Sequence, residues 1–219
     1  MNQLKIRRAT FGDIPFLGKV VIEAEQSNTD KLSYATLFNI PNSEAYKLIV
    51  QMFEEDVNGC EFSVSSYLVA ECNDKPVASF GGWIENFEDQ LDSSLLKSNL
   101  ISFTFSRASI QFLRTKQDLI KGILVKREPN TLQLEYLFVS ENFRGLKLAD
   151  SLIQNHITIA KNLNPSLAKV QVQVFANNHS AINVYNRNGF ETVKSYKVED
   201  IQILNYLPHN EKYIMEKII

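Results

Sequence analysis

The chain of 219 residues predicts a mixed β-sheet with helices on both faces. Three observations carry that expectation. Residues 132–190 run as strand, basic glycine-containing turn, helix, strand, helix, the order of a parallel pair joined by a crossover. Two β-rich runs, 65–71 and 76–84, flank Asn73-Asp74-Lys75 as a hairpin. Two more, 190–198 and 212–218, flank an irregular connection as a second hairpin.

Residues 4–10 read as a first strand, and Gly12-Asp13 signals a turn before a helix with Ile14, Leu17, Val20, Val21 and Ala24 at helical spacing. Residues 27–42 are irregular and aromatic, a loop with room for a short helix. Asn42-Ser43-Glu44 opens a second helix, striped over 46–57 and closed by Asn58-Gly59. Gly81-Gly82 inside the third strand allow close approach of another group. Residues 86–126 predict a mostly helical insertion between the third and fourth strands, although Phe103 and Phe105 alternate as a strand would. The fourth strand, 132–139, precedes the turn Arg144-Gly145-Leu146-Lys147-Leu148-Ala149 and a helix over 150–163. A fifth strand, 169–175, leads to a helix opening at Asn178.

Hydrophobic residues make up 44% of the chain and charged ones 22%, an ordinary globular profile that predicts one domain over 1–219. A net charge of −2 gives no electrostatic reason to expect nucleic acid or an anionic membrane. Cys60 and Cys72 cannot form a disulfide framework, and reduced thiols fit the cytoplasm. The opening residues 1–8 lack a signal peptide's apolar core, and no run is long enough to span a bilayer. Three scattered histidines, His156, His179 and His209, make no metal site. Nucleophile elbow, zinc-protease, phosphate-loop and dinucleotide-binding patterns are absent.

Arg144-x-x-Lys147-x-Ala149 after Leu137-Phe138-Val139 resembles the acyl-CoA signature of the GNAT superfamily of N-acetyltransferases, (Gln/Arg)-x-x-Gly-x-(Gly/Ala). The run from Asn178 through Ala181, Tyr185 and Gly189-Phe190 resembles that family's second motif, Asn-x-x-Ala-x-x-x-Tyr-x-x-x-Gly-Phe. The opening strand followed by Ala9-Thr10-x-x-Asp13 and a helix is common in the same family. The resemblance implies an α+β, three-layer fold whose mixed, mostly antiparallel central sheet is covered by helices on both faces. It also implies acetyl-CoA as cosubstrate, no metal, and an amine acceptor, in a monomer or a homodimer.

Site residues follow from the matched motifs. Main-chain N–H groups of Gly145, Leu146, Lys147, Leu148 and Ala149, with Arg144, would hold the diphosphate. Lys147 stands where the family usually has glycine. The backbones of Leu137, Phe138 and Val139 would pair with the pantetheine arm, one N–H polarising the thioester carbonyl. Asn178 is either a plain helix cap or a pantetheine contact as well. Tyr185 either packs or donates to the departing thiolate, since a phenol with pKa near 10 stays protonated at neutral pH. Some relatives carry a glutamate base where this chain has Gln173. Glu135, alone among apolar neighbours, is the substitute, acting directly or through a water relay, or else it pairs with a nearby basic residue.

The function this implies is acetyl transfer from acetyl-CoA to a primary amine, expected on a small molecule, in a ternary complex. Its rivals are a non-catalytic acyl-CoA-binding sensor or partner module and a protein N-terminal or lysine acetyltransferase. Residues 86–126 would shape the acceptor pocket or serve as a packing or dimer element.

Overall fold

The computed structural model describes residues 4–219, the Asp89 side chain excepted. The reading of residues 1–8 as lacking an apolar core therefore falls in part outside the described residues. The sheet has seven strands, β1 (Leu4–Arg8), β2 (Tyr67–Cys72), β3 (Lys75–Ile84), β4 (Leu132–Val139), β5 (Lys169–Phe175), β6 (Glu191–Lys197) and β7 (Glu211–Ile218). They lie in the order β1-β2-β3-β4-β5-β7-β6. Every neighbouring pair is antiparallel except β4 with β5. The mixed, mostly antiparallel sheet expected from the motifs is the one observed.

Helices α1 (Ile14–Gln26), α2 (Ser33–Thr36) and α3 (Asn42–Glu54) follow β1. In α3, Ala45, Ile49, Met52 and Phe53 are all buried, at the spacing that puts them on one face. With Leu17 and Val21 of α1 they cover one side of the sheet over Tyr67, Val69 and Tyr136. The chain leaves α3 earlier than the Asn58-Gly59 stop suggested, Asp56 taking a left-handed φ of 45°. The other side is covered by α7 (Leu148–Leu163) and α8 (His179–Arg187), once α4 (Ser93–Thr104), α5 (Arg107–Arg114) and α6 (Gln117–Ile120) have been traversed. The segment between the third and fourth strands is thus helical. Phe103 and Phe105 are not in a strand: Phe103 is exposed on the last turn of α4, and Phe105 follows it to pack on Phe38, ring centroids 4.2 Å apart.

Gly82 answers what the third-strand glycines are for. A Cβ there would lie 2.6 Å from His156 Nδ1 and 2.7 Å from Leu134 Cδ2, so α7 can press on the sheet only because the side chain is missing. His156 is buried, its Nε2 2.8 Å from the Phe80 carbonyl oxygen. Burial lowers its pKa to about 4, against a backbone hydrogen bond that favours the charged form. The unfolded chain titrates near 6.5, so it binds more protons than the folded one between the two values. Stability is therefore expected to fall by on the order of 3 kcal/mol as pH drops from 7 to 4 through this group alone. In His156→Gln, urea unfolding at each pH should show that part of the slope removed.

Candidate functional site

Strands β4 and β5 are paired only at Leu132–Val170, Gln133–Gln171 and Leu134–Val172. Beyond Leu134 they separate. The cause is a bulge in β4: Gly81 faces Glu135 and Ser79 faces Phe138, so two residues of β4 oppose one of β3. Tyr136 supplies the extra residue, with a φ of 61° that a side chain seldom adopts. Its buried ring is held by Tyr34, the two hydroxyl oxygens 3.2 Å apart.

The bulge also sets which backbone groups are free. Ser140 donates its N–H to the Val77 carbonyl on β3. Successive residues of a strand present their polar groups to opposite edges, so Val139 and Leu137 face away from β3, toward the gap that β5 has left. Arg144 Nε reaches the Val139 carbonyl from that side at 3.4 Å. The gap opens into a cleft of about 490 Å³ lined by Leu137, Phe138, Val139, the turn residues Arg144, Gly145, Lys147, Leu148 and Ala149, and Asn178.

The turn makes one end of the cleft suited to an anion. Gly145 has φ 81° and no atom within 4 Å of where a Cβ would be, so it is glycine for its backbone angle and leaves the approach open. Lys147 precedes α7 with φ 57° and ψ 23°, the left-handed conformation for which glycine is favoured. The first-turn N–H groups of α7 have no acceptor within the helix. Asp150 in that turn carries a charge that would repel a phosphate, but Arg187 grips it through Nε at 2.9 Å and Nη2 at 3.2 Å. Lys147→Val should cost about 1–2 kcal/mol in urea unfolding, because a β-branched residue is strained at this φ. Lys147→Gly should be nearly neutral, lost strain offsetting the added freedom of the unfolded chain.

At its other end the cleft meets a small cavity of about 80 Å³, lined by Glu135, Tyr136, Leu137, Gln173, Asn178, Ala181 and Tyr185 among others. Leu137 and Asn178 belong to both. Tyr185 is buried, stacked near Phe80 and tilted against Phe190, with centroids 6.4 and 5.7 Å away. Burial raises the pKa of its phenol, Glu135 adding to the effect, so the group remains a donor at any physiological pH. Asn178 Oδ1 caps α8, accepting from the Ala181 N–H at 3.2 Å, from Ser180 Oγ at 3.0 Å and from Asn28 Nδ2 at 3.2 Å. That leaves the Nδ2 amide as the atom to offer a ligand. His179 is exposed, outside both cavities.

Glu135 has a basic partner. Its Oε1 accepts from Arg127 Nε at 3.1 Å and Nη2 at 2.5 Å, with both side chains nearly buried. Arg127 also donates to Glu61 Oε1 at 3.1 Å and Ser93 Oγ at 3.0 Å, and lies over the Trp83 ring at 5.0 Å. Lys97 completes the cluster, 2.9 Å from Glu61 Oε1. Burial pushes the fully buried Glu61 carboxyl up, yet Arg127 and Lys97 together outweigh it and hold it below its ordinary range. The helical segment 86–126 thus contributes Lys97 to the cluster, and Arg127, just after it, carries the link to Glu135.

The fold brings together Leu137, Phe138, Val139, Arg144, Gly145, Lys147, Leu148, Ala149 and Asn178 along one cleft, with Glu135 and Tyr185 at its inner end. Leu146 stands apart, its side chain exposed and outside the lining. The sequence did not point to Arg187, although it lies two residues after Tyr185 inside the second motif. Nor did it point to the wall made by Ser27 and Asn28, tied to the β5–α8 connection by Asn177. Among the described residues no group of His, Cys, Asp and Glu is arranged to hold a metal ion, and no helix is long and apolar enough to cross a membrane.

A mostly antiparallel sheet parted at one parallel pair, with a glycine turn at the mouth of the gap, defines an acetyltransferase-type fold. The family model described as "Acetyltransferase (GNAT) family" matches residues 34–190, and the chain belongs to that family. Its members use acetyl-CoA as cosubstrate. Solved structures agree in fold. An N-acetyltransferase from Staphylococcus aureus Mu50 superposes with a TM-score of 0.64 at 13% identity, over 97% of this chain and 100% of that one. A ribosomal-protein-alanine N-acetyltransferase from Brucella melitensis gives 0.52 at 17%, over 98% and 99%. An IAA acetyltransferase from Bacillus cereus ATCC 14579 gives 0.52 at 10%, over 99% and 100%. Among curated proteins none matches the chain.

Proposed function

We propose that the chain is an acetyl-CoA-dependent N-acetyltransferase acting on a primary amine of a small molecule, by direct transfer in a ternary complex. On this reading residues 1–219 work as one acyltransferase domain in the cytoplasm, with 86–126 walling the acceptor side. The observation that supports it best is continuity: the anion-binding turn, the unpaired edge of β4 and the Tyr185 cavity follow one another along a single cleft.

Bound acetyl-CoA supplies an activated acyl carbon and a thiolate leaving group. The turn at Gly145–Ala149, with Arg144 and Arg187, holds the diphosphate. Leu137 and Val139 hydrogen-bond the pantetheine arm as a further strand would, and Asn178 Nδ2 adds a contact. The Leu137 N–H, shared by cleft and cavity, stabilises the oxyanion. Tyr185 donates to the departing sulfur. Glu135 receives the amine proton at Oε2 through a water, its Oε1 being committed to Arg127.

Calorimetry with CoA and a free-thiol assay with acetyl-CoA and an amine panel test the reading. Association well below millimolar CoA and amine-dependent thiol release are expected. No association at millimolar CoA would overturn it. Gln173 and the pairing of Glu135 favour a second reading, an acyl-CoA-binding module without catalysis, for which CoA would bind and no amine would accelerate thiol release.

A further inference from the structure

A third cavity, about 200 Å³, lies beyond the Tyr185 cavity and shares Glu25, Phe175 and Lys212 with it. Those residues come from α1, β5 and β7, so the two cavities meet where three elements converge. Its wall is mostly apolar, with Phe38, Ile101, Ile123 and Leu207 drawn from four separate segments. The volume falls below the roughly 300–1,000 Å³ of sites for drug-sized ligands, which suits a small body.

The charges at the junction are unusual. Lys97 at the same cavity is already matched by Glu61. Lys212 is not matched: among the described residues it makes no ion pair, and its ammonium rests over the Phe175 ring at 4.8 Å. Burial lowers its pKa, opposed by Glu25 and Glu135. Glu25, on the facing helix, has no ion pair among the described residues either. A cation and an anion that are both partly buried, and not bonded to each other, each lose solvation without direct repayment. A ligand carrying an anion and a cation would repay both.

Building on the proposed acetyl transfer, we infer that the acceptor is a free α-amino acid with an apolar side chain. Its ammonium lies against Glu25, its carboxylate against Lys212 and its side chain in the apolar cavity. The α-nitrogen then stands at the shared opening, beside the Tyr185 cavity where the thioester carbonyl would lie. The ammonium loses one proton to Glu25 and on to solvent. The nitrogen attacks, the C–N bond forms and the C–S bond breaks. The second nitrogen proton leaves through water to Glu135, Tyr185 gives its proton to the sulfur, and water returns the Glu135 proton to Tyr185, so the products are N-acetyl amino acid, CoA thiol and one proton to solvent.

The test is the specificity constant from thiol release with L-phenylalanine, L-leucine, phenethylamine, L-phenylalaninamide, spermidine and an alanine-first peptide. L-phenylalanine or L-leucine should exceed the carboxylate-free amines by at least about tenfold, the scale of one charge-assisted hydrogen bond. In Lys212→Met that preference should vanish through KM, with CoA affinity by calorimetry retained. In Glu25→Gln all amines should weaken together. If phenethylamine, spermidine or the peptide equals the amino acids, or the preference survives Lys212→Met, the acceptor assignment is overturned while acetyl transfer stands. If CoA does not bind, or no amine releases thiol, both fall.

Discussion

Tyr185→Phe is expected to lower kcat by about 10²–10⁴-fold, the usual worth of a positioned proton donor, while CoA affinity stays within a factor of about two. The substitution removes one oxygen and keeps the ring, so the contacts with Phe80 and Phe190 that hold α8 on the sheet persist. Burial keeps the wild-type phenol protonated, and no titration of Tyr185 itself should enter the pH–rate profile below the alkaline range. Single-turnover measurement of thiol release, beside calorimetry with CoA, separates the chemical step from binding. An unchanged rate would remove Tyr185 from the mechanism and return it to packing.

Arg127→Met should cost about 3–5 kcal/mol in urea unfolding at neutral pH, because it leaves buried carboxylates without their cation. Glu61 is fully buried and would keep only Lys97, while Glu135 would lose both hydrogen bonds at Oε1. Glu61 titrates below its ordinary value in the folded protein, so its share of stability is present above about pH 4.5 and is lost on acidification. The deficit in Arg127→Met should accordingly shrink toward low pH, where protonation neutralises the stranded carboxylates. Arg127→Met combined with Glu61→Gln should recover part of the loss, as residues sharing one network are not additive. A loss below about 1 kcal/mol would mean that water replaces the guanidinium at no cost.

The two motifs were legible because each is a local device. Gly145 needs a left-handed φ, and Asn178 caps the helix that begins one residue later, so the signal sits within a few positions of its cause. The helical stripes of α1 and α3 were legible for the same reason, each burying one face. Phe103 and Phe105 misled because alternation over three residues fits two periods, and only their surroundings, solvent for one and Phe38 for the other, tell them apart. Glu135 could be picked out as a polar residue in an apolar strand. Its partner Arg127 could not, since that arginine sits in an irregular stretch with no periodicity to place it.

Element order, the parallel crossover and the glycine turn that opens α7 were legible in the sequence alone, since short-range backbone preferences decide them. The tertiary structure decided the rest: the bulge at Tyr136 that parts β4 from β5, the cations matched to Glu61 and Glu135, and the placing of Glu25 and Lys212 on the walls of the same cavities. Those depend on contacts between segments far apart in the chain, and long-range burial and charge pairing leave no mark on the spacing of neighbouring residues.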